Sequence, residues 1–213
     1  MYLKIKRAAD SFLSALGLIV LSPLFLVLIL WIKLDSRGPV LFKQKRIGLH
    51  KKPFYILKFR TMRTDTPKDM PTHLLQNPDQ YITRAGHFLR KTSLDELPQI
   101  INILLGDMSI IGPRPALWNQ YDLIAERDKY GANDVMPGLT GWAQINGRDE
   151  LEIPVKAKLD GEYVEKLRKS AVSGFLMDCH CFLGTIGSVL RHEGVVEGGT
   201  GEMERQKSEK KGK

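Results

Sequence analysis

Hydrophobic and polar positions follow three regimes along the chain. From Ser11 to Ile32 no charged residue occurs and apolar side chains fill most positions. Val40 to Gln44 and Phe54 to Phe59 are then rich in β-favouring residues and joined through Gly48, which predicts a hairpin with Lys58 and Arg60 on one face. Further on, Leu94, Leu97, Ile101, Leu104 and Leu105 recur at helical spacing, predicting a helix from Ser93 to Leu105 that Gly106-Asp107 ends. Helices are also predicted around Trp118 to Lys129 and over Ile153 to Arg168. Phe175 to Leu190 is mostly apolar but interrupted by Asp178 and His180, which suits a core or an interfacial amphipathic helix. Residues 63 to 82, with Pro67, Pro71 and Pro78, read as an irregular loop around a short helical piece at His73 to Gln76. Gly112-Pro113-Arg114-Pro115 reads as a stiff extended element, with turns at Pro137-Gly138 and Gly147. The Gly-, Glu- and Lys-rich tail from Gly194 is predicted to be disordered.

As one helix the apolar run is long enough to cross the ~30 Å hydrocarbon core of a bilayer. Pro23 argues for a different path, because it has no N–H for the carbonyl of Ile19 and its ring crowds that turn. A break at Ser22-Pro23 leaves two arms of about 15 Å each, suited to a hairpin that dips into the membrane and returns. Charges on both flanks, Lys4, Lys6 and Arg7 before and Lys33, Arg37, Lys43, Lys45 and Arg46 after, place both ends on the cytoplasmic side by the positive-inside rule. The re-entrant reading is therefore favoured over a spanning helix. A cleaved signal peptide is disfavoured, since the run exceeds the usual apolar region and no small-residue cleavage site follows Trp31.

Composition adds one domain and a charge asymmetry. Setting aside the membrane segment, 1–36, leaves a single catalytic-size domain at 37–193 before the tail at 194–213. The net charge is +8, but residues 1–60 carry +10 and the remainder −2, so the excess lies beside the apolar run. Attraction to an anionic leaflet accounts for it, and no nucleic-acid partner is expected. Cys179 and Cys181 are too close for a disulfide framework and lack zinc-site spacing with His180, so they read as packing residues in a reducing compartment.

The candidate chemistry gathers at Ser93-Leu94-Asp95-Glu96, which fits a capping box. In the first turn of a helix the dipole would favour ionised carboxylates, as a Mg²⁺ ligand or a carboxylate nucleophile requires. Lys58, Arg60, Arg84, Arg90, Lys91 and Arg114 stand in short polar segments around the acidic pair, enough cations for several phosphate charges. Arg114 lies between two prolines whose fixed φ limits the entropy lost in aiming it. The run from Thr140 to Arg148, with Trp142 and Gln144, offers an aromatic face and amides for a nucleobase or sugar, or equally a buried strand and turn.

These segments, Phe42 to Gly48, Lys58 to Met62, Ser93 to Gln99, Gly106 to Ser109, Gly112 to Pro115 and Pro137 to Gln144, together resemble the bacterial sugar transferase family of small monotopic phosphoglycosyl transferases. The resemblance implies an α+β, mostly helical catalytic domain with a small β-hairpin, on a re-entrant Ser22-Pro23-broken membrane helix at the cytoplasmic face of the bacterial inner membrane. It implies transfer of a phosphosugar from a UDP-sugar to polyprenol phosphate, releasing UMP, through a covalent intermediate on Asp95. Glu96, with Asp95, would hold Mg²⁺; Lys58, Arg60, Arg90 and Arg114 would bind phosphates. Asp160 and Tyr163 match a family position near the site, and Thr64 to Gln80 is where members vary and sugar choice is expected. It further implies the minimal catalytic form, without additional N-terminal spanning helices, and leaves a homodimer open. The rivals are a single-pass protein that binds nucleotide without catalysis and a membrane-bound nucleic-acid binder. The first has no need of Asp95, and the net −2 beyond residue 60 disfavours the second.

Overall fold

The computed structural model describes residues 2–66, 78–147 and 151–191; the helical piece expected at His73 to Gln76, Arg148 and the tail from Gly194 lie outside them. A 34-residue helix, α1 (Tyr2–Asp35), runs along one side of a mostly helical domain. Next comes the antiparallel hairpin β1 (Leu41–Ile47) and β2 (Pro53–Phe59), in the register Leu41↔Phe59 to Ile47↔Pro53. The expected hairpin is thus present with longer strands, and its left-handed residues are His50 and Lys51, with Gly48 extended. Helices α2 (Arg84–Lys91) and α3 (Gln99–Leu105) lead to β3 (Ser109–Ile111), which pairs in parallel with β4 (Gly138–Thr140). Between those strands lies α4 (Tyr121–Asp128), and after them α5 (Trp142–Ile145), α6 (Ile153–Lys169) and α7 (Ala171–Arg191). Among the described residues of the run from Thr140 to Arg148, only Thr140 is strand, and Trp142–Ile145 is helical.

Both ends of α1 are fastened to this one domain. Near its start, the Arg7 guanidinium donates to the carbonyls of Ile103 at 2.6 Å and Leu104 at 2.9 Å, capping the end of α3. One turn on, the buried Asp10 carboxylate accepts from Ser109 Oγ at 2.6 Å and from the Ile110 N–H at 3.3 Å. Asp178 of α7 receives Lys6 Nζ at 2.8 Å and the hydroxyl of Tyr2. At the other end, Leu28 and Ile32 enter a core with Phe59, Ala85 and Leu89, and Asp35 accepts the Ala85 N–H at 3.1 Å. The helical backbone runs through Pro23 without a gap, because the Ser22 hydroxyl donates to the Ile19 carbonyl at 2.8 Å and replaces the N–H that proline lacks.

Between these anchors the helix is apolar and outward-facing. Its central window has a mean hydropathy of 2.7 with 11% of the window buried, and Ile19 is 72% exposed. Other apolar side chains share this exposure: Leu105 on α3, and Val172, Phe175, Leu176, Phe182 and Leu183 at helical spacing on α7. The leucine stripe expected to bury α3 therefore faces outward at Leu104 and Leu105, while Gln99, Asn102 and Ile103 face inward. The Asn102 amide fills that inward role by accepting the Leu57 N–H at 2.9 Å and donating to the Tyr55 carbonyl at 2.8 Å.

Asp10→Ala is expected to cost about 2–3 kcal/mol, the worth of charge-assisted bonds to a buried carboxylate, read as a lowered unfolding midpoint of the detergent-solubilised protein. Asp10→Asn, which keeps one acceptor, is expected to lose less.

Candidate active site

Lys58 on β2, Glu96 on the turn before α3 and Arg114 on the loop after β3 meet at one carboxylate. Lys58 Nζ lies 2.7 Å from Glu96 Oε1, while Arg114 donates from Nη2 to Oε1 at 2.5 Å and from Nη1 to Oε2 at 3.2 Å. The Arg114 loop is stitched from two sides. Gly112 N–H donates to Thr140 O at 2.8 Å and Gly138 N–H to Pro113 O at 2.9 Å, while from β1 the Arg46 guanidinium reaches Pro115 O at 3.0 Å. A Cβ at Gly138 or Gly141 would stand 2.1 Å from the Gly112 backbone, so this crossing admits only glycine.

The capping box does not form. Ser93 is left-handed (φ 56°) with no side-chain cap, and Leu94–Glu96 is a separate 3₁₀ turn. The cause is Pro98, which cannot donate to the Leu94 carbonyl; Leu97 N–H takes it at 3.2 Å instead, and α3 begins only at Gln99. The two acids are thus set by burial and neighbouring charge, not by a helix end, and they diverge. Burial pushes the Asp95 carboxyl up, against the pull of Lys58, Arg90 and Arg114. Burial also acts to raise Glu96, but Arg114 and Lys58 outweigh it and hold that carboxyl well below the usual range. Asp95 itself forms no hydrogen bond among the described residues. One acid is therefore pinned and ionised, and its neighbour is desolvated and more basic, the usual division of labour in a paired-carboxylate site.

The remaining expected site residues divide. Arg90, in the last turn of α2, donates to Thr61 Oγ1 at 3.0 Å and lies within electrostatic reach of Asp95. Arg60 is turned the other way: it is buried, with its guanidinium on the carbonyls of Arg37 and, at 2.8 Å, Ser36, where it closes the end of α1. Gln144 is buried on α5, and its amide has no partner among the described residues. Trp142, the aromatic of the same run, packs inward with Nε1 on Glu162 at 2.9 Å and its ring against His180. Asp160 is paired with Arg127 across α4 and α6 at 2.5 Å, and Tyr163 donates to the Ile111 carbonyl and Asp178; neither shares a partner with the acidic pair. Cys181 lies in the core, its thiol pushed up to about 12 by burial, and Cys179 is half-buried; both are free thiols. Sequence reasoning missed Arg127, Thr61 and the anchoring role of Asp10. Only Asp10, a lone acid at the border of an apolar run, carried a signal.

No group of three or more metal-ligating side chains occurs among the described residues. The donor set nevertheless fits Mg²⁺, which takes one or two carboxylates and completes its shell with water and phosphate. Among the described residues Asp95 has uncommitted oxygens, and Glu96 Oε2 carries only the 3.2 Å contact.

Fold and site together show a mostly helical protein with a small antiparallel hairpin, an N-terminal apolar helix that fits membrane association, and a carboxylate pair set among cations. The chain belongs to the bacterial sugar transferase family, whose profile matches residues 1–192. It is 44% identical over 170 residues to the UDP-glucose:undecaprenyl-phosphate glucose-1-phosphate transferase of Escherichia coli (strain K12), covering 76% of this chain and 36% of that protein. It is 39% identical over 194 residues to the uncharacterized sugar transferase EpsL of Bacillus subtilis (strain 168), covering 91% of each. To the exopolysaccharide production protein PSS of Rhizobium leguminosarum bv. phaseoli it is 40% identical over 198 residues, covering 89% of this chain and 97% of that one. The chain thus spans about a third of the first relative and nearly all of the other two.

Because the Glu96 pKa is depressed in the fold, its ion pairs contribute stability above the ordinary glutamate range, about 4.3, that is lost as pH falls through and below it. The unfolding midpoint is expected to drop over that window in the wild type and to drop less in Glu96→Gln. Equal slopes would assign the acid sensitivity to other groups.

Proposed function

We propose that the chain is a monotopic phosphoglycosyl transferase that moves a sugar phosphate from a UDP-sugar to polyprenol phosphate and releases UMP. The observation that carries this reading is the divided acidic pair: Glu96 pinned by Lys58 and Arg114, and Asp95 beside it desolvated and, among the described residues, without a side-chain hydrogen bond. A protein that only bound nucleotide would gain nothing from a half-buried carboxylate held near cations but uncommitted to them. The E. coli relative's name supplies the donor and acceptor classes, and the PSS name the setting, exopolysaccharide production.

In this reading an Asp95 oxygen attacks the β-phosphorus of the donor. The bond from that phosphorus to the bridging oxygen breaks, the electron pair leaves with UMP, and the sugar phosphate stays on Asp95 as an acyl phosphate. An oxygen of the lipid phosphate then attacks the same phosphorus and returns Asp95 to the carboxylate. Burial makes Asp95 a stronger nucleophile than an aqueous carboxylate, and Arg114, Lys58 and Arg90 offset repulsion from the phosphate oxygens. Held by Asp95 and Glu96, Mg²⁺ would supply further neutralisation of the diphosphate. The Gln144 amide, without a partner among the described residues, is suited to the sugar or base, while Arg60 acts through the end of α1.

The membrane geometry belongs to the same proposal. Tyr2, Lys6, Arg7 and Asp10 at one end of α1, and Leu28, Ile32 and Asp35 at the other, dock on one domain. That arrangement supports a re-entrant helix whose two ends lie on the cytoplasmic side of the inner membrane, because a straight span would strand one set of anchors. The apolar stripe of α7 and Leu105 of α3 would rest in the interface beside it.

Solubilised protein with Mg²⁺, polyprenol phosphate and a panel of UDP-sugars is expected to release UMP. Asp95→Asn is expected to lose both turnover and the phosphosugar adduct seen by intact-protein mass spectrometry, and silence with every donor would overturn the reading. Cysteines introduced at Lys4 and Arg37, in a background without Cys179 and Cys181, are expected to resist an impermeant thiol reagent added to intact cells.

A further inference from the structure

A cavity of about 540 Å³ opens where α1 ends, lined by Leu34, Asp35, Ser36, Arg63, Thr83 and Arg84. It is separate from the Glu96 cluster and shares no residue with it. Its position along α1 fixes its surroundings. Leu34, the last apolar residue of the helix, is 87% exposed, and one turn earlier Trp31 packs on Phe88 of α2 with ring centroids 5.2 Å apart, both partly exposed. An exposed aromatic pair at the end of an apolar helix marks the depth where headgroups begin. With α1 in the membrane as proposed above, the cavity would lie at the boundary between acyl chains and water, with an apolar lip and a polar wall.

The polar wall is cationic. Arg63 and Arg84 line it, Arg60 closes the adjoining turn through the carbonyls of Ser36 and Arg37, and Lys33 holds that turn through Gly38 O at 3.1 Å. Counting Arg37 on the same turn, five cations stand against Asp35 and Asp65, a local excess of +3. Neither acid blocks an anion. Asp35 is turned to the Ala85 N–H, and Asp65 pairs with Arg63 in an exposed chelate that solvent screens and a phosphate can replace. Arg84 is exposed and has no acidic partner among the described residues. The N–H groups of Ala85 and Gly86 are already taken by Asp35 and Thr83, so the pull of the cavity comes from the arginines and not from the start of α2.

We propose that this cavity binds the phosphate of an anionic membrane lipid, with Arg63 and Arg84 on the phosphate oxygens and Leu34 against the start of the acyl chains. Arg84 and Arg90 stand on the same short helix, about 9 Å apart along its axis, so a lipid held at one end fixes the depth at which the other presents Arg90 to Asp95. The proposal rests on α1 lying in the membrane and not on catalysis.

Native mass spectrometry of the full chain in detergent, titrated with short-chain phosphatidic acid, phosphatidylcholine or inorganic phosphate, tests it. The wild type is expected to retain phosphatidic acid well above the other two. Arg63→Gln with Arg84→Gln is expected to weaken that binding by about 30-fold, the effect of two headgroup cations, while Lys129→Gln leaves it unchanged. Asp95→Asn is expected to bind as the wild type does, so loss of turnover and loss of lipid are read separately. Equal retention of phosphatidylcholine, inorganic phosphate bound as strongly as the lipid, or an unaffected double variant would each overturn the proposal.

Discussion

The structure depends on one constraint: an apolar helix with charged ends has both ends tied to the same domain. Asp10 and Arg7 at one end, and Asp35 at the other, find partners in β3, α3 and α2, so the helix cannot shift without disturbing elements that carry the site. A buried carboxylate such as Asp10 is costly unless its oxygens are satisfied, and this cost makes the docking specific where greasy contact alone would not. The hairpin and α3 are then fixed relative to the helix, and the turn bearing Asp95 and Glu96 is fixed between them.

The site follows from the same economy of backbone donors. Pro98 removes an N–H at the position where the α ladder would have continued, so the acidic pair sits on a tighter turn that aims Glu96 at Lys58 and Arg114. Arg114 reaches Glu96 because its loop is held by β4 on one side and by Arg46 on the other. The difference between two adjacent carboxylates arises from who touches them: two cations for Glu96, and for Asp95 desolvation with no side-chain hydrogen bond among the described residues.

Local signals carried much of this. The hairpin, α6 and α7 were legible because β-favouring runs and amphipathic spacing act within a few residues, and the motifs that resemble the family placed the acidic pair among its cations. The failures share a physical origin. Leu104 and Leu105 imitate a core stripe, yet they face outward, because helical spacing alone does not say which apolar positions the protein interior covers. Gln99 and Asn102 then occupy the inward face, with Asn102 serving strand edges that a leucine would leave unsatisfied. Arg60 could not be told from a phosphate ligand by sequence, since its true partners are two backbone carbonyls more than twenty residues away. Asp160 likewise finds Arg127 through a helix pairing that only tertiary structure specifies.

The anchors of α1 also impose an order on the life of the chain. Arg7 and Asp10 leave the ribosome before their partners, which are made 96 to 100 residues later. At 5–20 residues per second, those charges spend about 5–20 s without them. During that interval nothing in α3 or β3 can hold the start of the helix, so the domain closes on a helix made well ahead of the elements that fasten it.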